Sequence, residues 1–168
     1  MSRVVVGFGA NLGDPAAQVE AAIAALAADG FRLLARSALY GSKPWGDAAQ
    51  PDYVNAVAVF DTALGPEAVL DRLLTEEARQ GRIRAADRRN GPRVIDLDLL
   101  LYDDRVLATP RLELPHPRIR GRAFVLLPLA EIAPDWLIPG LGPVRELIEP
   151  AFTAECWTLS GQPPPTTE

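Results

Sequence analysis

Two extended segments succeed one another with no helix between them: residues 31–40, FRLLARSALY, and residues 53–62, YVNAVAVFDT, joined by the loop GSKPWGDAAQPD. Both are rich in apolar residues, and the second alternates in part, as a half-buried strand does. A doubly wound nucleotide-binding fold needs strand, helix and strand in strict alternation so that its strands run parallel. Consecutive strands break that alternation, which turns the chain away from such folds and toward a largely antiparallel sheet.

The elements on either side complete the order. Residues 3–8, RVVVGF, read as a strand leading into the turn GANLGD. Asp14 is placed to cap a helix and Pro15 to open it, with Val19, Ala22, Ile23 and Leu26 at helical spacing and Gly30 as the stop. Pro66 opens a second helix, with Val69, Leu70, Leu73 and Leu74 on one face, that ends near Gly81. A further strand runs from Val94 to Leu101. Strand, helix, strand, strand, helix, strand is the split-βαβ order. The expected fold is α+β: a ferredoxin-like core, its sheet mostly antiparallel and flanked by helices, those of the core lying on one face. Short extended pieces near 105–107 and 112–114 are expected to add to the sheet. RAFVLLPLAEIA reads as a third helix interrupted by Pro128, and a short fourth falls near 143–149. We expect a single domain over 1–160 and a disordered, proline-rich tail over 161–168.

The strand at 94–101 contains two acids in an otherwise apolar run, Asp96 and Asp98. Strand side chains alternate, so the two carboxylates share one face, with α-carbons about 7 Å apart, while Ile95, Leu97 and Leu99 point the other way. Like charges so placed require a compensating cation. Metal ions and arginines both qualify. Oxygen ligands alone suit the hard ions Mg²⁺ and Mn²⁺ better than zinc.

Charge distribution bears on the same point. The net charge is -5, yet residues 79–122 hold eleven arginines against six acids, leaving that segment at +5 and the remainder at -10. Lys43 is the only lysine, so compositional bias explains some of the arginine excess but not its clustering. A guanidinium binds phosphate through two parallel hydrogen bonds, and a basic segment around two carboxylates suits a metal-bound polyphosphate. With 48% hydrophobic residues, no apolar run of about 18 residues, no leader-like start and one cysteine, Cys156, the expectation is a cytoplasmic protein without a disulfide. Neither a membrane nor nucleic acid is an expected partner.

Other motifs narrow the chemistry. Gly7, Gly9 and Gly13 have the spacing G-x-G-x-x-x-G, with Leu12 where a dinucleotide fingerprint requires glycine, and no phosphate-binding G-x-x-x-x-G-K-[ST] loop exists. His116, the only histidine, lies in LPHPRIRGR beside three arginines, a setting for a phosphate hydrogen-bond donor. Tyr53 and Asn55 share a strand face, and Trp45 and Phe124 sit in or beside loops. Aromatic faces with an amide at hand suit a planar heterocycle, though core packing is the ordinary role of any one of them.

Together, GANLGD, KPWGDAAQPDYVNAV, GRIRAADRRNGPRVIDLDLLLYDD and LPHPRIRGRAFVLLPLAEIAP resemble the 6-hydroxymethyl-7,8-dihydropterin pyrophosphokinases of folate biosynthesis over roughly residues 3–149. The most specific string is residues 89–100. The resemblance implies a ferredoxin-like core and transfer of pyrophosphate from ATP to the pterin's hydroxymethyl oxygen, leaving AMP. It implies that Asp96 and Asp98 hold two Mg²⁺ ions, that Arg82 and Arg93 are catalytic on the phosphates, and that Arg84, Arg93, Arg111, His116 and Arg122 contact ATP with Glu77 near the nucleotide. It places Tyr53 and Phe124 on the pterin faces, Asn55 at its edge, and Pro44 and Trp45 at the pocket wall. Ala10, Trp45 and Asn90 depart from residues common in the family, which bears on loop packing rather than on the reaction. The expected partners are the two small-molecule substrates, and the expected unit is a monomer.

The competing reading is a ferredoxin-like RNA-binding module without catalysis, and a third is an inactive scaffold of the same family. Against the module stand the missing aromatic RNA-binding string, the acidic net charge, and two carboxylates that repel a phosphate backbone.

Overall fold

The computed structural model describes residues 1–44, 49–82 and 94–159. Its elements are β1 (Ser2–Ala10), α1 (Pro15–Ala27), β2 (Arg32–Arg36), β3 (Tyr40–Ser42), β4 (Tyr53–Thr62), α2 (Pro66–Arg79), β5 (Asp96–Tyr102), β6 (Leu107–Ala108), β7 (Glu113–Leu114), α3 (Ala123–Ile132), β8 (Leu137–Ile138), β9 (Gly142–Pro143), α4 (Phe152–Glu155) and β10 (Cys156–Thr158), with a 3-10 turn at Val144–Leu147. Helix starts follow the expected chemistry. Asp14 accepts the Ala17 amide at 3.2 Å ahead of Pro15, and Pro66 occupies the first turn of α2.

Six strands form the main sheet in the order β10-β3-β4-β1-β5, with β2 also on β4, and the pairings among them are antiparallel. β1 is central and almost wholly buried. Its alternating side chains feed two cores. Val4, Val6 and Phe8 pack with Ile23 and Leu26 of α1 and Val69 and Leu73 of α2. Val5 faces the other way, into a second core with Leu126 and Leu129 of α3. The two core helices, α1 and α2, share one face as expected, and α3 returns across the sheet over β4 to cover the other.

Several local expectations change. The strand expected over 31–40 is two strands, β2 and β3, both on β4 and parted at Ser37–Leu39. Ser37 Oγ accepts the Val57 amide at 3.0 Å, and Glu131 of α3 accepts the Ala38 amide at 3.0 Å and the Tyr40 hydroxyl at 2.6 Å. Side chains thus satisfy the backbone that a continuous strand would have paired. Pro128 does not interrupt α3; its ring is buried, which offsets one missing hydrogen bond in a short helix. β6 and β7 form their own two-stranded ribbon instead of extending the sheet, and the expected fourth helix is the 3-10 turn. β10, which sequence reasoning missed, places buried Cys156 against β3. The tail over 161–168 lies outside the described residues.

One irregularity sets up the site. Between Val5 and Val6 the partner on β5 steps from Leu101 to Leu99, so Leu100 is the extra residue of a bulge. Leu100 and Leu101 both enter the α3 core, whereas Leu97 and Leu99 enter the α1 and α2 core. Before the bulge, the α3 face of β5 carries only Asp96 and Asp98.

Candidate active site

Asp96 and Asp98 open onto a cavity of about 620 Å³ between the end of the sheet and α3 with its preceding loop. The floor is β1. Gly9 pairs with Asp96 on one side and with Asn55 on the other, and Gly7 pairs with Asp98 and Val57. A β-carbon on Gly9 would lie 3.3 Å from Asn55 Oδ1, and one on Gly7 would lie 3.2 Å from Leu100 Cδ1. Glycine here admits something that approaches the backbone closely. The spacing dismissed as a dinucleotide fingerprint is thus a signal of another kind.

Acids line one side of the cavity, and aromatic and amide side chains line the other. Tyr53, Asn55 and Phe124 all border it. Asn55 is 3% exposed and its Nδ2 donates to Ser42 Oγ at 2.8 Å, which fixes the amide and sets Oδ1 beside Gly9. Phe124 receives the Arg122 guanidinium over its ring at 5.3 Å. Pro44 lies in an adjoining recess of about 400 Å³ that shares Ser42, Lys43 and Phe124 with the main cavity.

Basic groups form the roof. Arg118, Arg120 and Arg122 border the cavity along the loop into α3. The first two were visible only as members of the arginine cluster. Burial chiefly, and then Arg118, lowers the Arg122 pKa, while Asp98 and Asp96 oppose that shift. His116 is held to a pKa of about 4 by burial, followed by the charges of Arg122 and Arg118. Its Nδ1 accepts the Arg118 amide at 3.1 Å, so the neutral ring carries its proton on Nε2 and is a hydrogen-bond donor there.

Besides Pro44, four expected residues stand off the cavity wall: His116, Arg111, Glu77 and Arg82. Arg111 is paired with Asp71 of α2 at 2.5 Å and with Glu67 at 3.9 Å. Glu77, 2% exposed, sits beside β5: its Oε2 accepts the Leu97 amide at 2.8 Å and the Arg82 guanidinium at 3.0 Å. Arg82 also reaches Asp96 Oδ1 at 2.7 Å. Arg84, Arg93 and Trp45 lie outside the described residues, as does Asn90.

The donor chemistry fits a magnesium-type ion. Among the described residues no group of three or more His, Cys, Asp or Glu gathers as a metal cage. Two carboxylates facing an open, arginine-roofed cavity match an ion that keeps waters and takes its other ligands from substrate phosphates.

Comparisons with known proteins identify the family. The family profile described as 7,8-dihydro-6-hydroxymethylpterin-pyrophosphokinase (HPPK) matches residues 5–134. A Methylorubrum extorquens protein named 2-amino-4-hydroxy-6-hydroxymethyldihydropteridine pyrophosphokinase is 50% identical over 141 residues, 83% of this chain and 88% of that one. A Pseudomonas aeruginosa protein of the same name is 46% identical over 154 residues, 88% of this chain and 91% of that one. In fold, the chain is similar to a crystal structure of Plasmodium falciparum HPPK-DHPS wild type with pteroate, at a TM-score of 0.67 and 14% identity; the match covers 87% of this chain and 41% of that longer one. None of these relatives supports the RNA-binding alternative. The chain belongs to the 7,8-dihydro-6-hydroxymethylpterin-pyrophosphokinase family and is an ATP-dependent pyrophosphokinase of folate biosynthesis.

Proposed function

We propose that the cavity above Gly7 and Gly9 is where pyrophosphate passes from ATP to the hydroxymethyl group of 6-hydroxymethyl-7,8-dihydropterin. The row Asp96, Gly9, Asn55 carries this reading: a metal-ligand carboxylate and an amide suited to a heterocycle edge lie across one side-chain-free residue. Strand spacing puts them about 10 Å apart, room for a phosphoryl group to meet a hydroxymethyl oxygen.

Each group then has a task. Asp96 and Asp98 hold two Mg²⁺ ions, which when bound neutralise charge on the phosphates and orient them. Arg82, Arg93 and Arg122 counter the charge that develops as the hydroxymethyl oxygen bonds to the β-phosphorus, the bond to the α-phosphate oxygen breaks, the hydroxyl proton is lost and AMP departs. His116 donates Nε2–H to a phosphate oxygen, and Arg84 grips the nucleotide. Arg111 reaches the nucleotide after exchanging its pairing with Asp71. Tyr53 and Phe124 hold the pterin faces, Asn55 reads its edge, and Pro44 and Trp45 bound its pocket. All of these residues come from one chain, so we take the monomer as the working unit. We place it in the cytoplasm, where a free thiol such as Cys156 stays reduced.

The test of the residue assignment is isothermal titration. Tyr53→Ala and Asn55→Ala should each weaken pterin binding at least about tenfold while leaving ATP-analogue binding within about twofold. Equal losses for both ligands would reject the division of the cavity into two halves.

A further inference from the structure

Residues 152–158, which form α4 and β10, lie beyond the stretch 5–134 that the family profile matches. They line no part of the main cavity, yet they back both walls of its aromatic and amide half. On one wall, β10 pairs with β3, setting Cys156 opposite Ser42, Trp157 opposite Gly41 and Thr158 opposite Tyr40. Asn55 Nδ2 donates to Ser42 Oγ at 2.8 Å and to the Tyr40 carbonyl at 3.4 Å. Both acceptors belong to a three-residue strand held between β4 and β10. On the other wall, Phe152 and Cys156 share a core with α3, which carries Phe124. Ala154 and Glu155 border the recess that Phe124 shares with Pro44.

A latch on the opposite face holds β10 in place. Strand side chains alternate, so Trp157 points away from the cavity while Cys156 points toward α3. Its indole occupies the space that a side chain at position 41 would need: a β-carbon on Gly41 would lie 2.5 Å from Trp157 Nε1. We propose that Trp157 is a positioning residue for the pterin, docking β10 on β3 so that Ser42 and Tyr40 hold the Asn55 amide in its binding arrangement. The proposal rests on the pterin reading of Asn55. With β10 undocked, β3 becomes a short edge strand and Phe152 and Cys156 leave the α3 core, so the amide and the Phe124 wall lose their backing together. Pterin affinity then falls with the docked fraction, and bound pterin in turn favours docking. The two acids stand on β5, at the edge of the sheet opposite β10, so the nucleotide half is spared.

Two measurements on the full chain test it, both with Mg²⁺ and α,β-methylene-ATP, an analogue whose α–β bridge cannot be cleaved. In hydrogen–deuterium exchange, adding 6-hydroxymethyl-7,8-dihydropterin should slow the β10 amides, and that of Leu159, which donates to the Leu39 carbonyl at 3.0 Å, at least about threefold. In calorimetry, Trp157→Ala should weaken pterin binding about three- to tenfold and leave binding of the analogue within about twofold. Trp157→Phe, which keeps a ring over Gly41, should restore most of the loss. Exchange in β10 that ignores the pterin overturns the proposal, and does so even where Trp157→Ala fails to fold. A Trp157→Ala loss that is absent, or equal for both ligands, overturns it too, equal losses being the mark of general destabilisation. Asn55→Ala separates the two levels. Unaltered pterin affinity in that variant overturns the reading of Asn55, whereas a loss there with none in Trp157→Ala overturns the role of Trp157 alone.

Discussion

Asp96 and Asn55 stand on opposite sides of Gly9 in a single row of the sheet, one from β5 and the other from β4. Directly opposed residues of antiparallel strands point to the same face. The sheet itself therefore sets the distance between the carboxylate end and the amide end of the cavity, and that distance does not depend on loop conformation.

Gly9→Ala tests that relationship. The new β-carbon would crowd Asn55 Oδ1 at 3.3 Å and approach Tyr53 Cδ1 at 3.8 Å. We expect the variant to fold, with KM for the pterin raised about tenfold and KM for ATP changed much less. Steady-state kinetics with each substrate varied in turn decides it; unaltered pterin kinetics would mean that nothing approaches the backbone there.

His116 predicts a pH dependence of stability. Its folded pKa is lowered to about 4, whereas an unfolded histidine titrates near 6.5. Between those values the unfolded chain holds a proton that the folded one lacks, so stability is lost as pH falls through this window. In His116→Asn that contribution disappears while the carboxylates titrate as before. Denaturant unfolding at several pH values should show the stability gap between wild type and variant shifting in the variant's favour below about 6.5. A gap independent of pH would contradict the assignment.

Cys156 should be inert in the folded protein. Burial, opposed by a backbone hydrogen bond at Trp157, pushes its thiol up to about 12, far above the pH at which thiolates react. Ellman's reagent should label no thiol in the native state and one per chain in guanidinium. Rapid native labelling would show that β10 does not stay docked on β3.

Tyr40→Phe probes the break between β2 and β3. Removing the hydroxyl that donates to Glu131 at 2.6 Å should cost about 1 kcal/mol, read as a lower denaturant midpoint with an unchanged slope. No change would leave the break to Ser37 and to the Ala38 amide's bond to Glu131.

What the sequence made legible was what depends on neighbours along the chain. Asp14-Pro15 and Pro66 mark helix starts through local hydrogen bonding and a fixed φ, and both starts are found. Asp96 and Asp98 share a face because strand geometry has period two. Tyr53, Asn55, Phe124 and Arg122 were named from residue type and a resemblance, and they border the cavity together with the two acids. The missed features depend on partners distant in sequence. Glu131 holds the break at Ala38 across 93 residues, α3 crosses to the second face, and β10 docks only because β3 leaves an edge. Glu77 was placed near the nucleotide by the resemblance alone, and nothing along the chain showed that its carboxylate is buried against the Leu97 amide and Arg82.

The central claim is that Asp96 and Asp98 make this cavity a metal-dependent pyrophosphoryl-transfer site. The most direct test is AMP formation from ATP, Mg²⁺ and 6-hydroxymethyl-7,8-dihydropterin, comparing wild type with Asp96→Ala and Asp98→Ala. AMP that requires both the pterin and Mg²⁺, and that falls by about three orders of magnitude or more in each variant, is the predicted result. Full activity in either variant, with the fold intact by circular dichroism, would contradict it.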